Sequence, residues 1–571
     1  MVTARNRVEF ICLFLLASVI CSHGQTKLNG SSGDATNLAV PAIAAEQAPA
    51  FHKEDSTSDQ SKAETVQLSA PAANAQSQSA AASDAGSQVS AAAGSAAAVE
   101  PPVPAAKGVV PANFFVRLGR AYLTDWSGTA ASGDEEPKRR GWPAPVDGPP
   151  YPFSDWPYGG SVVIGAPWTQ SGPLMEAIWS GKNGEAWKRS GVQIYGWFNV
   201  GGNISSSNKP GYANLPAAYS ERPNSIQPDQ EVLYIERQPD TVQTDHFDWG
   251  FRVASIYGLD YRFTTAKGIF SNQLLGRVNP DGSVGKEYGF DPVMVYLDFY
   301  LPHIGQGTDV RVGRYISLPD IEAQLAPNNY TYSHSLLYTY DCYTQTGINT
   351  TTKWNQHWTT QFGVSAGCEA TPWTKAPDSK LTFNGCLIYS WNGGKDSIYP
   401  CLNALNSGKY AYNNVQAFYF TYYHKFTKHP SLHVSTEYWY QWENRVPNVS
   451  PGAPAAAAAL LERNANGAFC KNTVEVTCFA PDDALVNYVE KEFSKHDYLS
   501  IRNEYFDDLR GQRTGFKSLY TEHAVGFGHW IGTTVLFRPE LRYERSYDVP
   551  AYDNGTKKNL LMFASDVIFF F

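Results

Sequence analysis

The chain has 571 residues, is 43% hydrophobic and 14% aromatic, and carries a net charge of −9. The acidic balance offers no basic face for nucleic acid. After the first two dozen residues no run of 18 or more apolar residues occurs, which excludes a transmembrane helix but says nothing against crossing by short alternating strands.

The N-terminus reads as a secretory signal peptide over residues 1–24. Arg5 and Arg7 precede an apolar stretch, Phe10–Ile20, and Ser22-His23-Gly24 suits cleavage before Gln25. Residues 25–108 are low in complexity, nearly all Ala, Ser and Gln over Ala70–Ala98. Too little apolar bulk is present there to offset the entropy of ordering, so the segment is expected to be disordered. Residues 109–190 are rich in Pro, Gly and Trp and predict an ordered, irregular segment with a short helix near Pro173–Trp179. It packs on the mouth of the following domain or enters it; both placements stay open.

From residue 191 to 571 strands dominate. Val192–Asn203 opens the series. In Asp245–Ala254, Phe247, Trp249, Phe251 and Val253 share one face while Asp248, Gly250 and Arg252 share the other. Val293–Leu301 repeats the pattern with Asp298 on its polar face, and Thr308–Tyr315 sets Asp309 and Arg311 against Val310 and Val312. Further strands are predicted at Ser335–Asp341, Gln345–Trp354, Trp358–Cys368, Leu381–Trp391, Val415–His424, Leu432–Trp442, Leu485–Glu492, Tyr498–Tyr505, Tyr520–Trp530 and Thr533–Tyr543. The last strand, Leu560–Phe571, places Leu561, Phe563, Ser565, Val567 and Phe569 on one face and Asp566 on the other. A free strand that apolar would aggregate in water; it is at home where it closes a barrel and meets lipid. Its terminal aromatic with alternate apolar residues also resembles the signal that Gram-negative outer-membrane barrels present to their insertion machinery.

The fold class expected is therefore all-β: a transmembrane antiparallel barrel. At about 24 residues per strand and connection, the segment gives about 16 strands, with 14 and 18 open. A barrel that wide predicts a water-filled lumen. Charge is costly on a lipid face, so Asp248, Arg252, Asp298, Arg311 and Asp566 are expected to line the pore. Ile316–Asn329 is not strand-like; it holds Pro319 and Pro327 with Asp320 and Glu322 between them. This loop is expected to fold inward as a constriction, its carboxylates facing luminal arginines. Tyr296, Tyr300, Tyr332 and Trp439 offer a sugar-stacking track, or else pack as ordinary aromatics. Beyond the signal the chain keeps six cysteines, an even number that suits disulfides in an exported protein. Cys470 with Cys478, and Cys386 with Cys401, are the simplest pairs, though fifteen pairings are formally open.

Long stretches, IYGWFN at Ile194–Asn199, YIERQPDTVQTDHFDWGFR at Tyr234–Arg252, YGLDYRFTT at Tyr257–Thr265 and DVRVGRYISLPDIEAQLAPNNYTYSHSL at Asp309–Leu336, resemble the beta-barrel porin type 2 family, the OmpL-like porins. The resemblance spans roughly residues 150–571. It implies an outer-membrane barrel with channel activity, brings no catalytic residues, and leaves the solute undefined.

Chemistry beyond a channel finds little support. Gly363–Gly367 matches GxSxG, but it sits inside a predicted strand, not in the strand–turn–helix context of a nucleophile elbow. Asp245, His246 and Asp248 alternate between faces, leaving too few ligands together for a metal. No enzyme activity, cofactor or metal is implied. The expected partners are outer-membrane lipid, the insertion machinery through the C-terminal strand, and small hydrophilic solutes; homo-oligomerisation stays open. The leading reading is a passive channel. The alternatives are a carbohydrate-preferring porin and a structural or adhesive barrel working through loops such as Asn444–Asp483.

Overall fold

A computed structural model of the chain describes residues 113–127, 164–165 and 172–571, apart from 275–285, 318–320, 375–378, 409–414, 427, 429–431, 462–466 and 495. The expected signal peptide and low-complexity segment lie outside the described residues, as does Asp320.

Among the described residues three helices precede the strands: α1 (Phe114–Ser127), α2 (Pro173–Trp179) and α3 (Gly184–Ser190). Proline begins α2, where its missing N–H is no loss. Gly191, in the left-handed region at φ 67°, ends α3 and turns the chain into the first strand.

The strands are β1 (Gln193–Ser205), β2 (Ile226–Arg237), β3 (Asp248–Gly258), β4 (Gly289–Leu301), β5 (Thr308–Ile316), β6 (Thr344–Lys353), β7 (Trp358–Cys368) and β8 (Thr382–Trp391). They continue as β9 (Asp396–Leu405), β10 (Val415–Lys425), β11 (Leu432–Pro447), β12 (Thr477–Glu492), β13 (Asp497–Asp508), β14 (Ser518–Ile531), β15 (Val535–Ser546) and β16 (Asn559–Phe570). Each pairs antiparallel with its neighbours in sequence, and β1 pairs with β16 from Trp197–Phe570 to Ser205–Met562. The sheet therefore closes on itself as a barrel of 16 strands, and no edge is left unpaired.

Connections alternate in length. The odd strands are followed by the longer loops, such as 206–225, 259–288, 317–343 and 448–476, and the even strands by short turns, such as 354–357, 392–395 and 532–534. Helices α1 to α3 and the end of β16 belong to the short-turn end.

The two faces of the wall divide by chemistry. On β16, Leu561, Phe563 and Val567 are 50%, 50% and 43% exposed, whereas Asp566 is 1% exposed. The same outward row holds Leu233, Val253, Leu297, Phe362, Phe420, Val525 and Leu541, and the inward row holds Glu236, Arg252, Asp298, Arg311, Arg502, Glu522 and Arg538. An apolar band outside and charge inside is the arrangement lipid demands. Among the described residues no helix is long and apolar enough to cross a membrane.

Two strands escape the sequence reading, β2 and β9, and one predicted strand is not a strand. Ser335–Asp341 contains a helical turn at Leu336–Thr339. The Ser335 side chain accepts the Tyr338 amide at 3.1 Å, and Glu504 of β13 accepts the amides of Leu336 and Leu337. Those caps satisfy the first turn, and the segment lies inside the barrel, not in its wall.

Candidate functional site: a loop seated among luminal charges

The wall from β13 to β16 carries a charged field. Glu504 faces Glu522 in register, and Glu522 faces Glu544, so three carboxylates lie in one row across β13, β14 and β15. One pleat away, Arg502 and Arg542 both face Ala524. Arg502 Nε donates to both Glu522 oxygens at 3.0 Å, and its Nη2 lies 3.6 Å from Glu540. Arg542 pairs with Glu544 on its own strand. On β15 and β16, Arg538 Nε donates to Asp566 Oδ1 at 2.9 Å, and Asn199 of β1 donates to Asp566 Oδ2 at 2.7 Å. Like charges side by side would repel; interleaved arginines offset that cost, and each buried charge has a partner.

The adjoining wall, β1 to β5, alternates aromatic rings with arginines. Tyr195 of β1 stacks on Tyr234 of β2 at 4.9 Å, and the Arg252 guanidinium of β3 lies 5.3 Å from the Tyr234 ring. Tyr296 of β4 lies between Arg252 and Arg311, at 5.7 and 3.9 Å from their guanidinium carbons. Glu236 accepts from Arg252 at 2.7 Å, and Asp298 holds Arg311 with two bonds at 2.8 and 3.0 Å. The rings add cation–π attraction to bidentate ion pairs.

Between these walls runs the loop 317–343. Its described part from Ile321 onward is buried except for the half-buried Tyr340. The arginines of the first wall grip its backbone. Arg538 donates to the carbonyls of Ala326 and Asn329 at 2.8 and 2.7 Å, Arg502 to that of Ser333 at 2.6 Å, and Arg542 to that of His334 at 2.6 Å. Ser333 in turn donates its amide to Glu540 at 3.0 Å. From β2, Gln230 exchanges bonds with Gln324 and Ala326, and Tyr332 donates to Asp229 at 3.0 Å. Gln441 of β11 donates to the Tyr340 carbonyl at 3.0 Å, and Tyr419 of β10 donates to Asp341. Gly201 makes room for this seat, since a Cβ there would strike the Tyr332 hydroxyl and the Asp229 carboxylate. The loop is therefore pinned around the circumference, not hung from one wall.

The residues predicted from sequence, Asp320 apart, take the following places. Arg252, Asp298, Arg311 and Asp566 face inward and are buried, each in an ion pair. Asp248 has the same parity but sits at the short-turn rim, where it holds Arg237 at 2.8 Å and the Asp240 amide at 2.8 Å. Glu322 is buried in the loop, within electrostatic reach of Arg502 on the wall. Its carboxylate accepts from the His334 ring at 3.2 Å and from the Ser335 amide at 3.1 Å. Wall carboxylates pair directly with Arg502, Arg538 and Arg542, and the loop adds backbone carbonyls. Burial alone would raise the Glu322 carboxyl; the His334 hydrogen bond and the Arg502 charge outweigh it and hold the group at about 2. Burial pushes the His334 ring below the usual imidazole range, against the pull of Glu322.

Of the proposed aromatic track, Tyr296, Tyr300, Tyr332 and Trp439 are all buried in the barrel, Trp439 stacked on Tyr419 at 5.8 Å. They are packed against protein, leaving no open stacking face. The residues that the sequence reading missed are Arg502, Glu504, Glu522, Arg538, Glu540, Arg542 and Glu544. Their signal was present as charges two apart, Arg502-x-Glu504 and Arg538-x-Glu540-x-Arg542-x-Glu544, the period of a strand with one wet face.

Disulfides link Cys342–Cys368, Cys386–Cys401 and Cys470–Cys478. The first joins the far end of the inserted loop to the end of β7. The second bridges β8 and β9 across their register. Beside β5, β6 and β7 a small, partly open cavity of about 10 Å³ is bordered by Asp309, Arg311, Asn349, Thr351 and Gln361. That is room for roughly one water. At this level the chain's own loop lies inside the lumen. Among the described residues no cluster of three or more potential metal ligands occurs.

A family model described as "Putative beta-barrel porin-2, OmpL-like" matches residues 191–571. No match is found among curated proteins. Among solved structures, the chain is similar to an anion-selective porin from Comamonas acidovorans (10% identity, TM-score 0.43), covering 66% of this chain and 99% of that one. It is also similar to the outer membrane channel DcaP of Acinetobacter baumannii (9% identity, TM-score 0.40), covering 66% and 97%. A third is Salmonella typhi OmpF in complex with daunomycin (9% identity, TM-score 0.39), again covering 66% and 97%. These likenesses say nothing of solute or assembly.

Proposed function

The chain belongs to the OmpL-like beta-barrel porin-2 family, and from that membership we propose that it is a non-enzymatic outer-membrane channel for passive diffusion of small hydrophilic solutes, narrowed by its own third long loop. The observation that carries the reading is the division of the wall, apolar outside and ionised inside, around a closed 16-strand barrel. So many inward charges mark a polar barrel interior rather than an apolar core, the arrangement of a barrel with an aqueous lumen. The mechanism is diffusion down the solute gradient, filtered by size at the loop and by charge at Asp298 on β4 and Asp309 and Arg311 on β5. The short-turn end faces the periplasm, as in bacterial barrels generally.

Reconstitution into planar bilayers tests this. Stable ion conductance is the expected result; a sealed barrel would reject it. The sealed outcome defines the second reading, a structural or adhesive barrel, which draws support from the closely pinned loop and the small cavity beside it. A carbohydrate-preferring porin draws none from the packed aromatics, and it would show itself as sugar-induced block of the current.

A further inference from the structure

Helix α1 packs at the short-turn rim of the barrel. Its Tyr122 ring stacks on Phe569 at 5.3 Å, and the Tyr122 hydroxyl donates to the Phe570 carbonyl at 3.0 Å. Asp125 accepts the Thr533 amide at 2.8 Å and the Thr534 hydroxyl at 2.7 Å in the turn between β14 and β15. Trp126 Nε1 donates to Thr534 at 2.9 Å, and Arg117 Nε donates to the Ala177 carbonyl of α2 at 2.9 Å. These bonds fix one side of the helix.

The adjoining face, which begins at Trp126, is apolar and exposed. Phe115 is 79% exposed and Leu123 65%, with Val116 and Trp126 also exposed. At 3.6 residues per turn these four fall within about 100° of arc, and the exposed Arg120 stands at the edge of the stripe. A water-facing helix has no reason to gather its large apolar residues on a face that its support leaves exposed.

What the stripe is continuous with identifies its occupant. Phe569 has the outward parity of Leu561, Phe563 and Val567, yet it is only half-buried in place of exposed, because Tyr122 covers it. Helix α1 thus occupies a position on the barrel where lipid would otherwise lie, and its free face extends the same apolar belt beyond the strands. We propose that α1 is an interfacial helix, lying in the plane of the periplasmic leaflet with Phe115, Val116, Leu123 and Trp126 in the acyl boundary and Arg120 among the phosphates of the phospholipid head groups. It is a second membrane contact outside the barrel wall, placed where the chain passes between the N-terminal region and β1. The proposal rests on the membrane placement given above.

The test uses collision with relaxing agents in the whole chain, inserted in vesicles of phosphatidylethanolamine and phosphatidylglycerol. Cys12 and Cys21 are replaced by Ser, since the other six cysteines are paired. A nitroxide is then attached singly through Phe115→Cys, Leu123→Cys, Thr124→Cys or, as a control on the wall, Phe563→Cys. The expected result is that oxygen, which partitions into lipid, relaxes the labels at 115, 123 and 563 more than a water-soluble nickel chelate does, with the order reversed at 124. Nickel dominance at 115 and 123 with oxygen dominance at 563 overturns this proposal alone. Nickel dominance at 563 as well overturns the membrane placement. Exclusion of both agents at 115 and 123, with dipolar broadening between labels, overturns it in favour of a second copy of the chain.

Discussion

Arg538 and Asp566 face each other across β15 and β16, joined by Arg538 Nε to Asp566 Oδ1 at 2.9 Å, and the same guanidinium reaches the loop carbonyls of Ala326 and Asn329. One cation thus ties the barrel seam to the inserted loop. Asp566→Ala leaves Arg538 buried without its wall partner. We expect a loss of about 3–5 kcal/mol, read as a lower temperature for the heat-dependent mobility shift of the folded barrel in SDS. A shift within a degree of wild type would show the pair to be idle.

Glu504 caps the helical turn at Leu336 and Leu337 from the wall. Glu504→Ala leaves two buried amides without an acceptor, at about 1–3 kcal/mol for each lost partner. The loop should loosen while the barrel stays intact, giving larger and noisier single-channel currents with an unchanged mobility shift. Currents as quiet as those of wild type would remove Glu504 from the latch.

Acid should loosen the same latch. His334, its ring flanked by Tyr219 and Tyr338 at 4.0 and 5.0 Å, titrates below its free value in the seated loop. The released loop therefore binds the proton more readily, and seating weakens as pH falls below about 6.5. Glu322 is depressed to about 2, so its contribution is complete above the ordinary carboxylate value and is lost as pH falls from there through about 2. Both groups act in one direction. Conductance should be level from neutral to mildly alkaline pH and rise on acidification, with His334→Gln abolishing the upper part of the rise. A conductance that falls with acid would contradict the assignment.

The lipid face predicts a depth-dependent cost. Phe563, outward and near the middle of β16, should cost about 2–4 kcal/mol when changed to Arg in bilayer unfolding equilibria. Asn559→Arg, at the end of the strand, should cost far less. Equal costs would mean that the outward row does not face hydrocarbon.

Much of this wall was legible. Asp566 amid Leu561, Phe563 and Val567 gives both faces of β16 from alternation alone, and β7 runs from Trp358 to Cys368 as read. Strand β2 was hidden because its inward row includes apolar Val232 and Tyr234 beside outward Leu233 and Ile235, so alternation fades, and Pro228 breaks the run. In β9 Pro400 and the left-handed Ala404 do the same. Ser335–Asp341 misled for the opposite reason. Its alternation was real, but Glu504, more than 160 residues away in sequence, supplies the cap that makes it helical. Inward placement of Arg252, Asp298 and Arg311 followed from desolvation cost, whereas the loop's contacts depend on Arg502, Arg538 and Arg542, whose meaning appears only when β13 and β15 stand opposite the loop.

The central claim is that a wetted, charged barrel is narrowed by the segment 317–343. It is tested most directly by single-channel conductance of the refolded protein against a variant whose residues 324–337 are replaced by a short Gly-Ser linker, both checked for heat-dependent mobility and probed with neutral polymers of increasing size. The account predicts a small conductance that excludes all but small polymers in wild type, and a several-fold larger one admitting bigger polymers in the variant. Equal conductance and equal polymer cut-off in the two proteins would contradict it.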